Sequence, residues 1–384
     1  MSDWFKISDP EDVPSPALLV YPARIEENLR RIIKMVGDVN RLRPHIKTHK
    51  TAELIRMQLA HGISKFKCAT IAEAEMAAIA GARDILLAYQ PVGPNIERLL
   101  TLIIDFPEVR FSCVADNADS LQSISAAARQ IDFNRRIETG LLTEAAVAGQ
   151  GVEVLIDVDV GQHRTGIDPH AALKLYQLLA ALPALRAGGL HAYDGHISDS
   201  DIEQRKAACE AAFAPVEVLR RKLEREGLPM PRVIVGGTPT FPMHARREGV
   251  ECSPGTCVLW DAGYARKLPD MDFLPAAVLL TRVISKPTST RICLDLGHKA
   301  VASEMPHSRV VFLNLDDSTA VGHSEEHLVL ETPHAESLAV GDCLYGIPWH
   351  ICPTVALHSE MVVVRNAHAE GRWKVAARDR SLTI

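Results

Sequence analysis

The chain has 384 residues, long enough for one large domain and a smaller one, and its 47% hydrophobic content is that of an ordinary globular protein. A formal net charge of −6 and a pI near 6.2 argue against nucleic acid or an anionic membrane as partner, so a small molecule is the expected one. The opening "MSDWFKISDPEDVPSP" lacks the basic region and apolar run of a secretory signal, and even "AAVLLTRVI" is interrupted by Arg282. A cytoplasmic location is therefore expected. The eight cysteines are scattered without paired short spacings, which reads as small buried hydrophobes, with Cys352 as the exception.

From Ala17 to about Trp260 short apolar runs alternate with longer helical patterns, the signature of repeated βα units around a parallel sheet. The runs are "ALLVY", "RLRPHIK", "KFKCAT", "ILLAY", "VRFSCVA", "VEVLIDVDV", "LRAGGLHAY" and "RVIVGG". Eight of them predict an α/β fold built on a TIM-type (β/α)8 barrel. The helix "IAEAEMAAIAGA" is expected to be capped by Thr70 and stopped by Gly81, with Ile71, Met76 and Ile79 available for the core. Residues 130–151 form a longer connection, expected to be an extra helical turn or excursion. Beyond "DMDFLPAAVLLTRVISKP" the runs "RICLDLG", "SRVVFLNL", "HLVLET", "GDCLYGIP" and "EMVVVRN" are short and separated by Gly, Pro, Asp and Asn. The expected division is a barrel over 1–274 with a short N-terminal extension, and a C-terminal β domain over 275–384.

A barrel places its chemistry at the C-terminal strand ends. Those ends carry Lys47 and His49, Lys67 and Thr70, Tyr89 and Gln90, then Asp159, Gln162 and Arg164, then Tyr193, Gly195 and His196, and last "GGTPT", Gly236 to Thr240. A lysine able to form a Schiff base, an arginine, and a glycine-rich turn offering N–H groups to a phosphate are what pyridoxal phosphate chemistry requires. Taken singly, each has an ordinary explanation. Lys47 is a solvated strand-end lysine, Arg164 a partner of Asp157 or Asp159, "GGTPT" a loop, and His191 or His196 a satisfied polar group. Their order at successive strand ends favours the shared site.

The motifs "RPHIKTHK", "KFKCATIAEAEMAA", "DVDVGQHRTGI", "YDGH" and "GGTPT" together resemble the fold-type III pyridoxal phosphate enzymes, whose barrel is shared with alanine racemase. The resemblance is to the branch holding D-threonine aldolases and D-serine dehydratases, and it covers nearly the whole chain. It implies that Lys47 carries pyridoxal 5'-phosphate as a Schiff base and that Arg164 faces the cofactor's phenolic oxygen. It further implies that Gly236, Gly237 and Thr238 hold the phosphate, with Tyr193 near the pyridine ring. Barrels of this type are usually homodimers, so a homodimer is expected.

In "IPWHICPTVALHSE", His350 and Cys352 are two apart and, read as a strand, share a face, so imidazole and thiolate could reach one cation. The spacing alone is a weak signal. In the resembling branch this position holds a divalent metal, through His-x-Cys in dehydratases and commonly His-x-Asp in aldolases. Cysteine favours Zn, and a carboxylate would favour Mn or Mg, so the metal and the reaction stay open. The expected reaction is that of a D-threonine aldolase, retro-aldol cleavage of a D-β-hydroxy-α-amino acid to glycine and an aldehyde, with His196 as base. The alternatives are a D-serine or D-threo-3-hydroxyaspartate dehydratase, giving a keto acid and ammonia, then an amino-acid racemase, and a non-enzymatic cofactor carrier.

Overall fold

The structure, a computed structural model, describes residues 3–139 and 151–384, the side chains of 131–139 excepted. Of the expected excursion at 130–151, residues 130–139 continue the helix that begins at Ala118, and residues 140–150 lie outside the described residues. Two compact units are formed, and neither is continuous in sequence. One comprises Ile33–Ile46, Gln58–Gly255 and Asp379–Ile384, and the other Met1–Ile32, Lys47–Met57 and Thr256–Arg378.

The first unit holds a seven-stranded parallel sheet whose spatial order follows the chain, as short βα connections dictate. With β1 (Ala17–Val20) in the other unit, its strands are β2 (Lys65–Cys68), β3 (Asp84–Leu87), β4 (Arg110–Ala115), β5 (Val152–Asp157), β6 (Leu185–Ala192), β7 (Val233–Val235) and β8 (Glu251–Cys252). After α1 (Pro22–Val36) and α2 (Ala52–Ala60), the helices α3 (Ile71–Ile79), α4 (Pro94–Asp105), α5 (Ala118–Thr139) and α6 (Ala172–Ala181) pack on these strands. The longer α7 (Ile202–Arg225) packs on α6. Leu86, Val114, Leu155 and Ile234, from four strands, meet in one fully buried cluster. Thr70 caps α3 by accepting from the Glu73 N–H at 3.1 Å, as its position predicts. Ile71 and Met76 are buried, whereas Ile79 at the last turn is 56% exposed and not in the core.

The run "RLRPHIK" forms no regular strand, yet its backbone bonds to both edges of the sheet. Arg43 N–H donates to Cys252 O at 2.9 Å and His45 N–H to Pro254 O at 3.0 Å, while Lys67 N–H donates to Pro44 O at 2.9 Å. Arg43 is fully buried and meets Asp84 and Glu251, each at 2.7 Å, and Lys65 reaches Glu251 at 2.6 Å. Such a network is not a net source of stability, but removing one member would cost about 3–5 kcal/mol by stranding its partner. Near the C-terminus, Thr383 N–H donates to the buried Glu75 of α3 at 3.0 Å, and Arg98 of α4 donates to Ile384 O at 2.8 Å.

The second unit contains a nine-stranded mixed sheet. Its strands are β1, β9 (Ala277–Thr288), β10 (Arg291–Leu294), β11 (Val310–Phe312), β12 (Thr319–His323), β13 (Leu328–Glu331), β14 (Cys343–Pro348), β15 (Glu360–Arg365) and β16 (His368–Lys374). The expectation that "ALLVY" opens the barrel is corrected here. β1 runs antiparallel to β9, with Leu19 opposite Val278, and parallel to β15, with Leu19 opposite Val362. All four of its residues are buried, a pattern that a central strand of either sheet would show, so local sequence cannot choose between them. The choice is made by a core in which Phe5, Ile7 and Leu19 pack with Val278, Leu280, Tyr345 and Val362.

Candidate active site

In the parallel-sheet unit the strand ends gather polar groups around Tyr193. Arg164 lies over its ring at 5.2 Å and Lys67 Nζ at 5.4 Å from the centroid. Arg164 sits on the loop after β5, which Asp159 ties down by accepting from the N–H groups of Gly161 and His163 at 2.9 and 3.1 Å. Gly166 ends that loop with φ +103°, and a Cβ there would come 2.5 Å from the Asp159 nitrogen, so only glycine fits. Asp157 and Asp159, the acidic groups that offered Arg164 a structural ion pair, bond elsewhere. Asp157 takes His191 Nδ1 at 2.7 Å and Thr165 Oγ1 at 3.0 Å, and Asp159 takes His163 Nδ1 at 2.7 Å.

His191 is buried, and its Nε2 has no hydrogen-bond partner among the described residues. Burial lowers its pKa despite the Asp157 carboxylate, with Lys67 and Arg164 adding to the effect. Burial works the other way on Asp157, but His191 and Thr165 outweigh it and hold that carboxyl below its usual range. His196 is exposed and close to the Gly161 loop, where a Cβ at Gly161 would approach its Nε2 to 3.2 Å.

The turn after β7 is tight and buried. Gly236 has φ +72°, and its N–H donates to Ala192 O at 3.0 Å. A Cβ at Gly237 would lie 2.9 Å from Tyr193 Cε2, so the ring and the turn pack without space for a side chain. Thr238 is buried and accepts from Gly255 N–H at 3.1 Å. Thus Arg164 and Gly237 each lie against the Tyr193 ring.

In the mixed-sheet unit, Lys47 lies half-buried in the 3-10 turn Ile46–Thr48. The neighbouring His49 is buried; its Nδ1 accepts from Thr51 N–H at 3.2 Å, and burial pushes it down to about 3, so it is neutral. Thr48 Oγ1 is 3.2 Å and Thr256 Oγ1 3.6 Å from the Cys352 sulfur. After α8 (Phe241–His244) and α9 (Ala262–Lys267), α10 spans Ile351–Leu357. His350 and Cys352 therefore do not share a strand face. His350 is the extended N-cap of α10 and Cys352 lies in its first turn, where Pro353 is tolerated because those N–H groups have no helical acceptor.

The pair is electrostatically linked even so. Burial would lower the His350 imidazole, but Cys352, Glu304 and Asp261 raise it to about 9. Burial would raise the Cys352 thiol, yet His350 and Thr48 bring it below its ordinary value. Glu304, which the sequence reading missed, hydrogen-bonds His350 at Nδ1. Asp261 accepts from Ile351 N–H at 3.1 Å, and burial pushes it up to about 6. A separation of 46 residues between Glu304 and His350 leaves no local signal from which their meeting could be read.

Residues 20–261 match the family described as alanine racemase, N-terminal domain, and residues 276–364 match the putative serine dehydratase domain. The chain is 31% identical to a D-threonine aldolase of an Arthrobacter species over 95% of this chain and 93% of that one. It is 29% identical to a 3-hydroxy-D-aspartate aldolase of Paracoccus denitrificans over 97% and 94% of the two chains. A D-threo-3-hydroxyaspartate dehydratase of a Delftia species matches at 29% identity over 64% of this chain and 61% of its own. Among solved structures, the D-threonine aldolase from Filomicrobium marinum superposes with a TM-score of 0.84 at 26% identity, covering 96% of each chain. The alanine racemase of Clostridium difficile shares the fold, with a TM-score of 0.69 at 12% identity over 94% of this chain and 99% of the other. The chain belongs to the alanine racemase N-terminal domain family of fold-type III pyridoxal phosphate enzymes, in the branch of the D-threonine aldolases and D-serine dehydratases.

Proposed function

We propose that the protein is a pyridoxal phosphate- and divalent-metal-dependent lyase of D-β-hydroxy-α-amino acids, and that its reaction is that of a D-threonine aldolase. The observation that carries this reading is the similarity to the Arthrobacter D-threonine aldolase along almost the entire chain, including both the barrel region and the β domain. Backbone bonds from residues 43 to 45 to both edge strands support a closed (β/α)8 arrangement for the first unit.

The residues present fit the cofactor. The turn at Gly236 and Gly237 has no room for a Cβ, which lets backbone approach a phosphate, and the buried Nε2 of His191 lacks a partner among the described residues. Lys47 would hold the cofactor's aldehyde carbon, Gly236, Gly237 and Thr238 its phosphate, and Arg164 and Tyr193 its ring. A metal also fits, because His350 and Cys352 offer an imidazole and a thiol brought below its ordinary pKa, a donor set suited to Zn. Bound together, cofactor and cation supply an electron sink for the bond broken at Cα and a Lewis acid for the β-hydroxyl.

The protein's own groups then do the positioning and the proton transfer. Lys47 anchors, Arg164 and the Tyr193 ring fix the plane, and neutral His191 donates no charge to it. His196 takes the proton of the β-hydroxyl as the Cα–Cβ bond breaks, releasing an aldehyde and, after a proton returns to Cα, glycine. Cys352 supports a second reading, a dehydratase in which Lys47 takes the Cα proton and the β-hydroxyl leaves. Incubation of the purified protein with D-threonine, pyridoxal phosphate and Zn²⁺ or Mn²⁺ tests both. Glycine with acetaldehyde is the expected product pair, and ammonia with 2-oxobutyrate would replace the aldolase by the dehydratase.

A further inference from the structure

Behind the glycine turn lies a buried group of side chains that the proposed reaction does not use. Asp194 follows Tyr193 just beyond β6, and its two oxygens face different partners. Thr240 Oγ1 donates to Oδ1 at 2.7 Å, and His244 Nε2 lies 2.8 Å from Oδ2. Cys209 of α7 completes the group, its sulfur 3.4 Å from His244 Nε2 and 3.9 Å from Asp194 Oδ2. All four residues are buried.

Because the Thr240 hydroxyl gives its proton to Asp194, its oxygen is left to accept, and it takes the Gly237 N–H at 3.3 Å. His244 presses on the same turn from beneath, since a Cβ at Gly236 would come 2.6 Å from its Cδ2. Without an acceptor at Asp194 the Thr240 hydroxyl could rotate and release Gly237.

We infer that Asp194 is a positioning residue that, through Thr240, fixes the turn in the curvature that accepts a phosphate monoester. The inference rests on the reading of Gly236 to Thr238 as the phosphate site. Asp194, Cys209 and His244 also lie close enough to hold a metal ion. The hydrogen-bonded arrangement is preferred because both Asp194 oxygens already have donors, and burial together with Asp194 pushes the Cys209 thiol up to about 12, so it keeps its proton.

The test uses the full chain freed of cofactor, titrated by absorbance with pyridoxal 5'-phosphate and with pyridoxal, which lacks the phosphate. Wild type is expected to prefer the phosphorylated form. Thr240→Val should weaken pyridoxal phosphate binding by about tenfold, the scale of one buried hydrogen bond, and leave pyridoxal unchanged, whereas Thr240→Ser should restore the preference. Should Thr240→Val fail to fold, Thr240→Ala serves with the same expectation. A wild type without preference would overturn the phosphate reading itself. A preference retained in Thr240→Val, or an equal loss for both ligands, would overturn the role of Asp194 while leaving the phosphate site standing. Stoichiometric zinc retained by a protein lacking His350 and Cys352, and lost with Cys209→Ala, would replace the hydrogen-bonded network by a metal centre.

Discussion

The Glu304 carboxylate meets His350 at Nδ1, which leaves Nε2 of the same ring as the nitrogen able to ligate a cation. A carboxylate in this place fixes the ring's orientation and tautomer and makes it a stronger donor. Glu304→Gln is expected to weaken Zn²⁺ binding by about 10–100-fold. Both side chains are over two-fifths exposed, so the fold should be little affected. Competition with a chromophoric chelator measures the affinity; an unchanged constant would remove Glu304 from the site.

Metal binding should also depend on pH. His350 must lose its proton to ligate, and its pKa is raised to about 9. Apparent Zn²⁺ affinity should therefore climb through the neutral range and level off above about pH 9. A flat profile from pH 6.5 to 9 would show that this imidazole is not a ligand.

Lys47→Ala should eliminate the visible absorption band of bound pyridoxal phosphate together with all turnover. Absorbance after dialysis reads the first and product formation the second. A retained band would place the cofactor on a different lysine, with the buried Lys67 beside Tyr193 the next to replace.

Gly237→Ala puts a methyl group 2.9 Å from Tyr193 Cε2 in a buried turn. The ring or the turn must shift, and overpacking of this kind costs about 1–3 kcal/mol. The cost should appear mainly as weaker cofactor binding in a fluorescence titration. Binding equal to wild type would separate the turn from the cofactor.

Acid should destabilise the fold through its buried histidines, although Asp261, pushed up to about 6, works the other way. Burial holds His49 down to about 3, and burial with Arg309 holds His323 down to about 4. As pH falls below the ordinary histidine value of about 6.5, the unfolded chain takes up protons that these native imidazoles refuse. Stability should decline from there until the native groups also titrate. Urea denaturation at a series of pH values between 7 and 4 would read this, and a constant midpoint would contradict it.

The parallel strands from Lys65 to Val235 were legible because each carries a short apolar run bounded by turn residues. β8 was not, since Glu251 and Cys252 are only two residues, entered from the charged stretch before them. The sheet in which β1 lies was equally hidden, because its partners Val278 and Val362 are more than 250 residues away. His350 and Cys352 were found as a pair but misread as a strand; Pro353 was the available sign of a helix start. Arg164, Tyr193 and the glycine turn were accessible through order and motif. Asp194 and His244 were given no role, and Thr240 was noted only as the end of the glycine-rich turn, because their value lies in contacts across some 46 and 50 residues, which no local pattern encodes.

The interlaced division of the chain bears on how the molecule is made. The polypeptide passes from one unit to the other after residues 32, 46, 57, 255 and 378. Its final residues, through Thr383 and Ile384, return to Glu75 and Arg98. The parallel-sheet unit, which includes Asp379–Ile384, cannot be completed before Thr256–Arg378 of the mixed-sheet unit has been made, so it does not mature first as an independent N-terminal module. For the same reason the parallel-sheet unit cannot be cut out, expressed alone or exchanged between relatives as a cassette.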